Sequence, residues 1–428
     1  MSLQTAAMER DSSGQRGTIL AGIAGNIMEW YDFTVYGYFA AVIGHNFFPA
    51  QNSLTSLIAA FGVFAAGFLM RPVGSLIFGH IGDKTDRNVA LTVSVIAMAL
   101  PTFLIGLLPT YQQIGVAAPI LLTVLRLAQG LSVGGEYTTS FIFLVEHAPS
   151  RHRGLFGSCS FMGVAGGILL GSAVGAMLTT RLDAQAIVVW GWRVPFIIGI
   201  GIGLTGLYIR RQAAREGGRR RLEHVLKSPV AEAFRTEWRN ILLIFGFNVF
   251  GAIGFYLCFV YVTTWLRQTE HLPASTAFDV NVLAILVLLV LTPIFGHISD
   301  RVGRKPGLLA AAAGAVLLAW PLFWLMHHPK ASMALLGQAG FAVLIAVYGG
   351  AGPAFMVEAF PHSVRCSALS FAFNTSMAIF GGSAPMIAVF AIQHTQDDLS
   401  PAFYLMGAAA VSLLATICLR ETSTATLR

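Results

Sequence analysis

Charged residues are scarce in this sequence of 428 residues. They make up 11% of the chain, whereas soluble domains usually devote about 25% of their residues to charge. Hydrophobic residues reach 55%, and the mean hydropathy is +0.70. A chain this apolar needs lipid around most of its surface, so the composition predicts an integral membrane protein in contact with a lipid bilayer. Its length suffices for about twelve membrane crossings but leaves no room for a large soluble domain.

Cysteine is also rare, and the common catalytic motifs are missing. The four cysteines lie far apart in apolar segments without CxxC spacing, so they indicate neither a disulfide framework nor a metal site. All eleven histidines lie in loops or at the ends of apolar segments, and no HExxH motif occurs. A P-loop, a GxSxG motif and a strand-preceded Rossmann fingerprint are absent as well. We therefore expect no metal, no cofactor, no ATP-driven step and no enzyme activity.

Basic residues outnumber acidic ones by 27 to 20, which gives a net charge of +7. Such a balance can indicate a nucleic-acid partner, but the basic residues here concentrate in alternate loops. If each apolar segment crosses once, only four lie on the opposite side: Arg181, Arg193, Arg267 and Lys330. This bias follows the positive-inside rule and predicts cytoplasmic termini, a cytoplasmic central loop and no nucleic-acid partner. The polar first residues lack an apolar signal region, so we expect no cleaved secretory signal.

Apolar runs between charged or turn-rich breaks predict twelve membrane-spanning helices. They lie near residues 19–44, 54–78, 89–109, 117–146, 154–178, 191–209, 240–266, 275–298, 306–326, 331–358, 366–391 and 400–419. The longest polar interruption, at 210–239, is basic and lies halfway along the chain. It predicts a cytoplasmic linker between two six-helix bundles, 19–209 and 240–420, with cytoplasmic tails at 1–18 and 421–428. The predicted fold class is therefore an all-α integral membrane protein, multi-pass in the inner or plasma membrane of the cell.

Two loop sequences occur twice in the chain. GHIGDKTDRN at 79–88 returns as GHISDRVGRK at 296–305, and VEHAPSRHRG at 145–154 returns as VEAFPHSVRC at 357–366. Each copy follows the matching span of its half, which predicts two bundles that rock about a shared central site. Charged residues in and beside these loops are candidates for a cytoplasmic gate held closed by ion pairs and helix-end dipoles. A solvated charge run that only sets topology is the alternative. The candidates are Asp83, Arg87, Glu146, Arg153, Asp300, Arg301, Arg304, Glu358 and Arg365.

At these loops the sequence resembles the major facilitator superfamily, whose signature G-x-x-x-D-[RK]-x-G-[RK]-[RK] follows the second span. Residues 296–305 fit it fully, whereas the first copy has Asp86 where the family has Gly and Asn88 where it has a basic residue. Further segments resemble the metabolite:proton symporter family, the group of proline/betaine, α-ketoglutarate, shikimate and citrate carriers. These segments are GNIMEWYDFTVYGY (25–38), FAAGFLMRPVGSLIFGHIGD (64–83), LRLAQGLSVGGEYTTS (125–140), WGWRVPF (190–196) and FNTSMAIFGGSAP (373–385). The resemblance implies proton-coupled transport by alternating access.

Five ionisable residues stand out within the predicted spans, all of them in the first half, and such residues are costly in lipid and functional by default. The candidates for proton coupling are Glu29, Asp32, Arg126 and Glu136. A rise of about 1.5 Å per residue places Asp32 and Arg126 near the membrane midplane. A poorly solvated carboxylate has a raised pKa, and a neighbouring arginine lowers that pKa again. We therefore expect Asp32 and Arg126 to meet as a switch, in which the substrate carboxylate takes the arginine and the freed carboxylate binds a proton.

Each of these residues also has a structural interpretation. A fixed Asp32–Arg126 ion pair would only lock helix packing. Glu136 either relays protons or caps a packed helix. Arg71, level with Glu29, either binds an anionic group of the substrate or pairs with Glu29 as a structural contact. For the neutral candidates in substrate binding, hydrogen bonding between helices is the alternative. The substrate-binding candidates are Tyr36, Arg71, Gln129, Tyr256, Tyr348 and Asn374.

These features together predict a proton symporter that imports a small organic acid such as a di- or tricarboxylate, because two membrane arginines offer partners for carboxylates. A zwitterionic osmolyte such as proline or betaine is the alternative substrate, since it too carries a carboxylate. Export by the same fold is a second alternative, and a non-transporting membrane sensor is one from a different class. Beyond the substrate, the coupling proton and the bilayer we expect no partner, and we expect a monomeric protein.

Overall fold

The computed structural model describes residues 23, 25–74, 87–132, 134, 136–216 and 229–423. All regular secondary structure in these ranges is helical, which confirms the all-α prediction. Many large apolar side chains point outward from the helices, for example those of Leu204, Leu317 and Leu414. Lipid is the solvent that such an outer surface requires.

The first half of the chain contains helices α1 to α6. Helix α1 covers 25–38 and continues after Phe39 as Ala40–Phe47, α2 is Ser53–Leu69 with an extension to Gly74, and α3 is Arg87–Leu107. Helix α4 comprises Ala117–Ser132 and Glu136–Glu146, α5 is Arg153–Arg181, and α6 is Val194–Glu216. Short helical turns at Tyr111–Ile114, Ala184–Val189 and Gly191–Arg193 connect them.

The second half contains helices α7 to α12. Helix α7 runs as Pro229–Tyr256, a π-helical segment at Leu257–Tyr261, and Val262–Gln268. Helices α8, α9 and α10 are Ala274–Val302, Arg304–Met326 and Ala331–Glu358. Helix α11 runs as Arg365–Ser376, a second π-helical segment at Met377–Gly381, and Ala384–Thr395, and α12 is Ser400–Cys418. A π-helical segment widens the turn and shifts backbone hydrogen bonds, and such segments are frequent at functional sites.

Nine helices among the described residues are long and apolar enough to cross a membrane, judged by length and composition. They are α2, α4 and α5 in the first half and α7 to α12 in the second. Shorter apolar helices, Ile96–Leu107 and Gly191–Thr205, overlap α3 and α6. The count of twelve spans and the cytoplasmic position of the termini therefore stay predictions.

Both ends of the segment 210–239, which we predicted as a linker, are helical. Helix α6 continues to Glu216, and α7 begins at Pro229 rather than near residue 240. Alanine, arginine and glutamate favour helix, so both helices continue beyond their apolar parts. Helix α7 bends at Glu237, whose φ of −120° and ψ of 15° are not helical.

Helices α2 and α4 approach each other closely at two glycines. A Cβ atom on Gly130 would collide with the backbone of Gly67, and a Cβ atom on Gly67 would lie 3.0 Å from the carbonyl oxygen of Arg126. Small residues allow such backbone contact where lipid supplies no hydrophobic drive for helix association. The contact places Arg126 of α4 directly against the face of α2 that carries Arg71 and a pair of phenylalanines.

Candidate functional site

Two buried arginines lie within a group of aromatic rings between the halves. The Cζ atom of Arg71 is 4.4 Å from the ring centroid of Phe68 and 4.7 Å from that of Phe33. The Cζ atom of Arg126 is 4.3 Å from the ring centroid of Tyr36 and 5.0 Å from that of Phe33. Such contacts of a guanidinium with aromatic faces are attractive and strengthen when water is excluded. The aromatic–arginine cluster consists of Trp30, Phe33, Tyr36, Phe64, Phe68, Arg71, Arg126 and Tyr256.

Helical periodicity brings these residues onto facing helix surfaces. Phe64, Phe68 and Arg71 follow one another at i, i+4 and i+7 on α2 and its extension, so they share one face. Trp30, which lies three residues before Phe33 on α1, shares a face with it in the same way. Local helix geometry therefore aligns the cluster residues of α1 with one another, and likewise those of α2.

Tyr256 brings the second half into the cluster. It is the last residue before the π-helical segment of α7, and its ring lies parallel to Trp30 with centroids 6.0 Å apart. It also meets Phe64 and Phe68 edge to face at 5.7 and 5.3 Å. The Tyr256 hydroxyl is buried and has no hydrogen-bond partner among the described residues. Tyr256 is thus the point at which α7 reaches across to the arginines.

Arg71 forms an ion pair with Glu29. This contact is the structural alternative that the sequence left open for Arg71. The distance from Arg71 Nη2 to Glu29 Oε1 is 3.4 Å, and both side chains are 1% exposed. Glu29 lies one turn before Phe33 on α1, so this pair sits at the edge of the cluster. The pair neutralises Arg71 but leaves its Nε without a hydrogen-bond partner in the described structure.

Asp32 and Arg126 do not form the direct contact that depth estimates predicted. Their side chains are joined through Gln129 and Thr102 instead: Arg126 Nη1 donates to Gln129 Oε1 at 2.8 Å, and Gln129 Nε2 donates to Thr102 Oγ1 at 2.6 Å. Thr102 Oγ1 in turn donates to Asp32 Oδ2 at 3.0 Å. The prediction had the right depth, but Gln129 lies three residues after Arg126 on the same face of α4 and occupies the intervening space.

The bridged arrangement leaves Arg126 with unused donors. Its Nε and Nη2 atoms are buried and have no hydrogen-bond partner within the described part of the chain. Five N–H groups of a guanidinium are strong donors, and an unfilled pair of them suits a carboxylate in a bidentate arrangement. Arg126 is therefore the group in the cluster that is best prepared to receive an anionic ligand.

Asp32 is buried on α1 with α3 and α6 packed against it. Helix α6 comes close because Gly199 has no side chain: a Cβ atom there would lie 3.1 Å from Asp32 Oδ1. Among the described residues Asp32 has no ion-pair partner within 4.0 Å. The side chain of Glu136, the other carboxylate that we predicted for this region on α4, lies outside the described part of the structure.

Two predicted substrate contacts lie outside the cluster. The Tyr348 hydroxyl donates to Asn248 Oδ1 at 2.5 Å within the second half. Asn374 Nδ2 donates to the carbonyl oxygens of Gly134 and Ser370, each at 3.0 Å, and so ties α11 to α4. Both residues therefore make hydrogen bonds of the helix-packing kind that we gave as their alternative role. The other four substrate-binding candidates lie in or beside the cluster.

Sequence reasoning missed the aromatic members Trp30, Phe33, Phe64 and Phe68 and the bridging Thr102. It considered only ionisable and polar groups, and phenylalanines at helical spacing are indistinguishable in sequence from ordinary residues of the hydrophobic core. A search for rings three, four and seven residues from a membrane arginine finds Phe64 and Phe68 before Arg71. No comparable signal identifies Thr102, because its role depends on how α3 packs against α1.

Charged side chains join the halves at the end of the bundle that carries the repeated loops. Arg304 Nη1 lies 2.7 Å from Asp300 Oδ1, and Arg304 Nη2 lies 3.2 Å from Glu358 Oε1. Arg153 of the first half reaches the same Glu358 oxygen at 3.8 Å. These residues are four of the predicted gate, and they form a buried network between α5, α8, α9 and α10.

A second set of contacts crosses between the halves at the same end. Asp300 accepts hydrogen bonds from the backbone N–H groups of Gly154 at 2.7 Å and Leu155 at 3.0 Å, in the first turn of α5. A carboxylate at a helix N-terminus also interacts favourably with the helix dipole. Arg365 Nη1 of α11 lies 2.5 Å from Glu146 Oε1 of α4. Arg301 is exposed, whereas Asp83 and the side chain of Arg87 lie outside the described residues.

Glu421 strengthens this end from beyond α12. Its carboxylate accepts from the backbone N–H groups of Arg304 at 3.0 Å and Lys305 at 2.8 Å, at the start of α9. Burial raises the pKa of Glu421, but the hydrogen bonds from Arg304, Ser423 and Lys305 outweigh that effect, so its pKa lies below the ordinary value. Glu421 therefore stays ionised and keeps α9 capped across the neutral pH range.

A neutral network joins the halves at the opposite end. Asn281 Nδ2 of α8 lies 3.0 Å from both Tyr38 Oη and Ser172 Oγ and 3.1 Å from the carbonyl oxygen of Phe259. Gln338 Nε2 donates to Asn281 Oδ1 at 2.6 Å. This Asn281 network satisfies carbonyl groups in the π-helical segment of α7. With contacts at both ends, the aromatic–arginine cluster is enclosed between the halves.

Among the described residues, no group of three or more His, Cys, Asp or Glu could hold a metal ion. The aromatic–arginine cluster provides groups of other kinds. It offers a donor pair for a carboxylate, aromatic faces for a cation, and a separate buried carboxylate that can take up a proton.

Comparisons with known proteins show the family to which the chain is related. The family model described as Major Facilitator Superfamily matches residues 22–385. The glycine betaine/proline/ectoine/pipecolic acid transporter of Dickeya dadantii is 35% identical over 432 residues, which cover 98% of this chain and 86% of that protein. The proline/betaine transporters of Salmonella typhimurium and Escherichia coli K12 are each 34% identical over 430 residues, with the same coverage.

Solved structures show the same fold at low sequence identity. The proton:xylose symporter bound to 6-bromo-6-deoxy-D-glucose has a TM-score of 0.76 at 15% identity. The match covers 97% of this chain and 98% of the symporter chain. The xylose transporter from E. coli in a partially occluded, inward-open conformation has a TM-score of 0.75 at 17% identity. The match covers 97% of this chain and 100% of the transporter chain.

Proposed function

Because the chain belongs to the Major Facilitator Superfamily, we propose that it imports a zwitterionic osmolyte of the proline or betaine type together with a proton. It is a multi-pass transporter of the cell membrane and not an enzyme. The names of its relatives favour the osmolyte, our alternative, over the organic acid that we predicted first. A monomer that alternates access between two bundles is part of the same proposal.

The proposed topology has twelve spans, with both termini and the central segment in the cytoplasm. Helices α1, α3 and α6 add to the nine long apolar helices and give each half six. Basic residues in alternate loops support this orientation through the positive-inside rule. The Arg304 network then lies at the cytoplasmic end, and the Asn281 network lies at the outer end.

The observation that carries the substrate proposal is the pair of unused donors on Arg126 beside aromatic faces. A zwitterion needs one partner for its carboxylate and another for its cationic nitrogen. Arg126 supplies the first, and the ring of Tyr256 supplies the second, since among the described residues no guanidinium lies over it. A quaternary ammonium group has no hydrogen-bond donor, so an aromatic face is its natural partner.

Charge balance in the cluster supports the same substrate class. Arg71 and Arg126 carry two positive charges, and Glu29 and Asp32 carry two negative charges when ionised. A neutral zwitterion leaves this balance intact, whereas a di- or tricarboxylate would bring two or three uncompensated negative charges into a buried site. Burying charge without a partner is costly, so the site favours a substrate without net charge.

The experiment that tests this proposal is uptake into proteoliposomes with and without an inward proton gradient. The substrate panel contains glycine betaine, proline, citrate and 2-oxoglutarate, and empty liposomes provide the background. We expect gradient-driven accumulation of glycine betaine and proline and background levels for both acids. Accumulation of citrate or 2-oxoglutarate without either osmolyte would overturn the substrate class, and accumulation indifferent to the gradient would overturn proton coupling.

A further inference from the structure

Two neutral side chains stand between the carboxylate and the arginine of the cluster. Asp32, Thr102, Gln129 and Arg126 come from three helices, and all four are buried, with exposed fractions from 0 to 3%. The three hydrogen bonds that join them measure 3.0, 2.6 and 2.8 Å. Neither Thr102 nor Gln129 carries charge. This series of hydrogen bonds therefore keeps two oppositely charged groups out of direct contact.

The direction of each hydrogen bond follows from the groups involved. A guanidinium has only donors, so Gln129 must turn its carbonyl oxygen toward Arg126 and its amide nitrogen toward Thr102. Thr102 Oγ1 therefore accepts from Gln129. Its single hydrogen then has two acceptors within reach: Asp32 Oδ2 at 3.0 Å and the carbonyl oxygen of Met98 at 2.9 Å.

This choice lets Thr102 follow the protonation state of Asp32. When Asp32 is ionised, the Thr102 hydroxyl donates to it. When Asp32 is protonated, its own O–H donates to the second lone pair of Thr102, and the Thr102 hydrogen turns to Met98. The Thr102 hydrogen has an acceptor in both states, as does the proton on Asp32 when it is present, and no heavy atom needs to move. Neither state requires a direct contact between Asp32 and Arg126.

We propose that Thr102 and Gln129 are positioning residues that keep Asp32 and Arg126 apart, so that the arginine stays available for substrate whether or not the carboxylate holds a proton. The inference rests on the proposed function. Without the bridge, ionised Asp32 and Arg126 would close into a buried ion pair, and the substrate carboxylate would have to break it. Protonated Asp32 has no charge to attract Arg126, so the penalty would vanish at acidic pH.

Among the described residues, few charged or titratable groups face Asp32 besides Arg126. Helix α1 contributes its neighbour Tyr31, whose hydroxyl donates to the carbonyl oxygen of Pro195 at 2.9 Å. Helices α3 and α6 present Thr102 and Gly199 to the carboxylate, and neither is charged. A pH-dependent change in substrate affinity on loss of the bridge therefore reports on Asp32 and Arg126.

The experiment measures KM and Vmax for glycine betaine in proteoliposomes across an acidic-to-alkaline series, using Thr102→Val and Thr102→Ser. Valine keeps the shape of threonine and removes its hydroxyl, whereas serine keeps the hydroxyl. We expect Thr102→Val to raise KM about tenfold at alkaline pH and less than about twofold at acidic pH. Thr102→Ser should match wild type. Gln129→Met breaks the same bridge from α4 and should reproduce the pH-dependent increase.

Thr292→Val is the matched control, because Thr292 is equally buried but its hydroxyl, among the described residues, bonds only the carbonyl oxygen of Leu288 on its own helix. It should leave KM unchanged at every pH. In an Asp32→Asn background, measured by counterflow, Thr102→Val should no longer raise KM. An equal rise in KM at all pH values, or the same rise in Thr102→Ser, would overturn the inference. Failure of wild type to accumulate glycine betaine would instead overturn the proposed function.

Discussion

In the function that we propose, different side chains of the cluster bind the two charged ends of a zwitterion. Arg126 has unused donors for the carboxylate, and Arg71 is already neutralised by Glu29 at 3.4 Å. The two arginines are therefore not equivalent, although both lie over aromatic rings and both are buried. Sequence position alone predicted the level of each arginine in the membrane, and the Glu29 pair agrees with that estimate. The bridge through Thr102 was not predictable, because it depends on the packing of three helices.

Tyr256 provides a prediction at the scale of one residue. Tyr256→Leu removes the aromatic face that we assign to the cationic nitrogen and should raise the KM for glycine betaine about tenfold. Tyr256→Phe keeps the ring and removes a buried hydroxyl that has no partner among the described residues, so its KM should stay near wild type. Initial uptake rates in proteoliposomes measure both.

Tyr404→Leu serves as the control, since Tyr404 belongs to α12 and lies outside the cluster. If Tyr256→Phe lost affinity as strongly as Tyr256→Leu, the hydroxyl rather than the ring would be the binding group. That result would remove the aromatic contact from the account.

Helices carry the site in ways that sequence periodicity predicts only in part. The existence and order of the helices followed from apolar runs, and the boundaries of α8, α9 and α10 lie within a few residues of those predicted. The start of α7 did not, because charged residues with good helix propensity extend it back to Pro229. The π-helical segments after Tyr256 and Ser376 were also unforeseen, since they reflect packing and not composition.

The Asn281 network provides a prediction at the scale of elements. Asn281→Ala removes the hydrogen bonds that tie α8 to Tyr38 and Ser172 of the first half, which should favour opening of the outer end. Cys258 lies in the π-helical segment beside this network and is 1% exposed. In a background that lacks the other three cysteines, a membrane-impermeant maleimide should label Cys258 about fivefold faster in Asn281→Ala than in the protein that keeps Asn281.

Asn46→Ala is the matched control for that experiment. Asn46 donates to the carbonyl oxygen of Val188 at 2.9 Å within the first half and has no hydrogen bond to the second half among the described residues. It should leave the labelling rate of Cys258 unchanged. Equal labelling rates in Asn281→Ala and wild type would show that the network does not hold the outer end closed.

The whole molecule is a pair of helical halves held together at both ends around a buried cluster of balanced charge. Ion pairs of Arg304, Asp300 and Glu358 join one end, and neutral hydrogen bonds of Asn281 join the other. The repeated loops indicated the first of these contacts from sequence, because charged residues recur at matching positions. The second contains no charge and no repeat, so nothing in the sequence distinguished it from ordinary helix packing.

Transport driven by protons requires a group that exchanges a proton while the substrate site remains intact. In this account that group is Asp32, which is buried and has no ion-pair partner among the described residues, while Arg126 stays free for substrate. Replacing the carboxylate with an amide of the same shape keeps the hydrogen bond to Thr102 and removes the ionisable group. We therefore expect this single substitution to separate binding from proton coupling.

The direct test compares counterflow with gradient-driven accumulation of glycine betaine in Asp32→Asn proteoliposomes. Counterflow needs only binding and alternating access, whereas accumulation needs the proton. Asp279→Asn, an exposed carboxylate on α8, is the control and should behave as wild type in both assays. We predict that Asp32→Asn retains counterflow and loses accumulation, and accumulation at the wild-type level in Asp32→Asn would contradict the account.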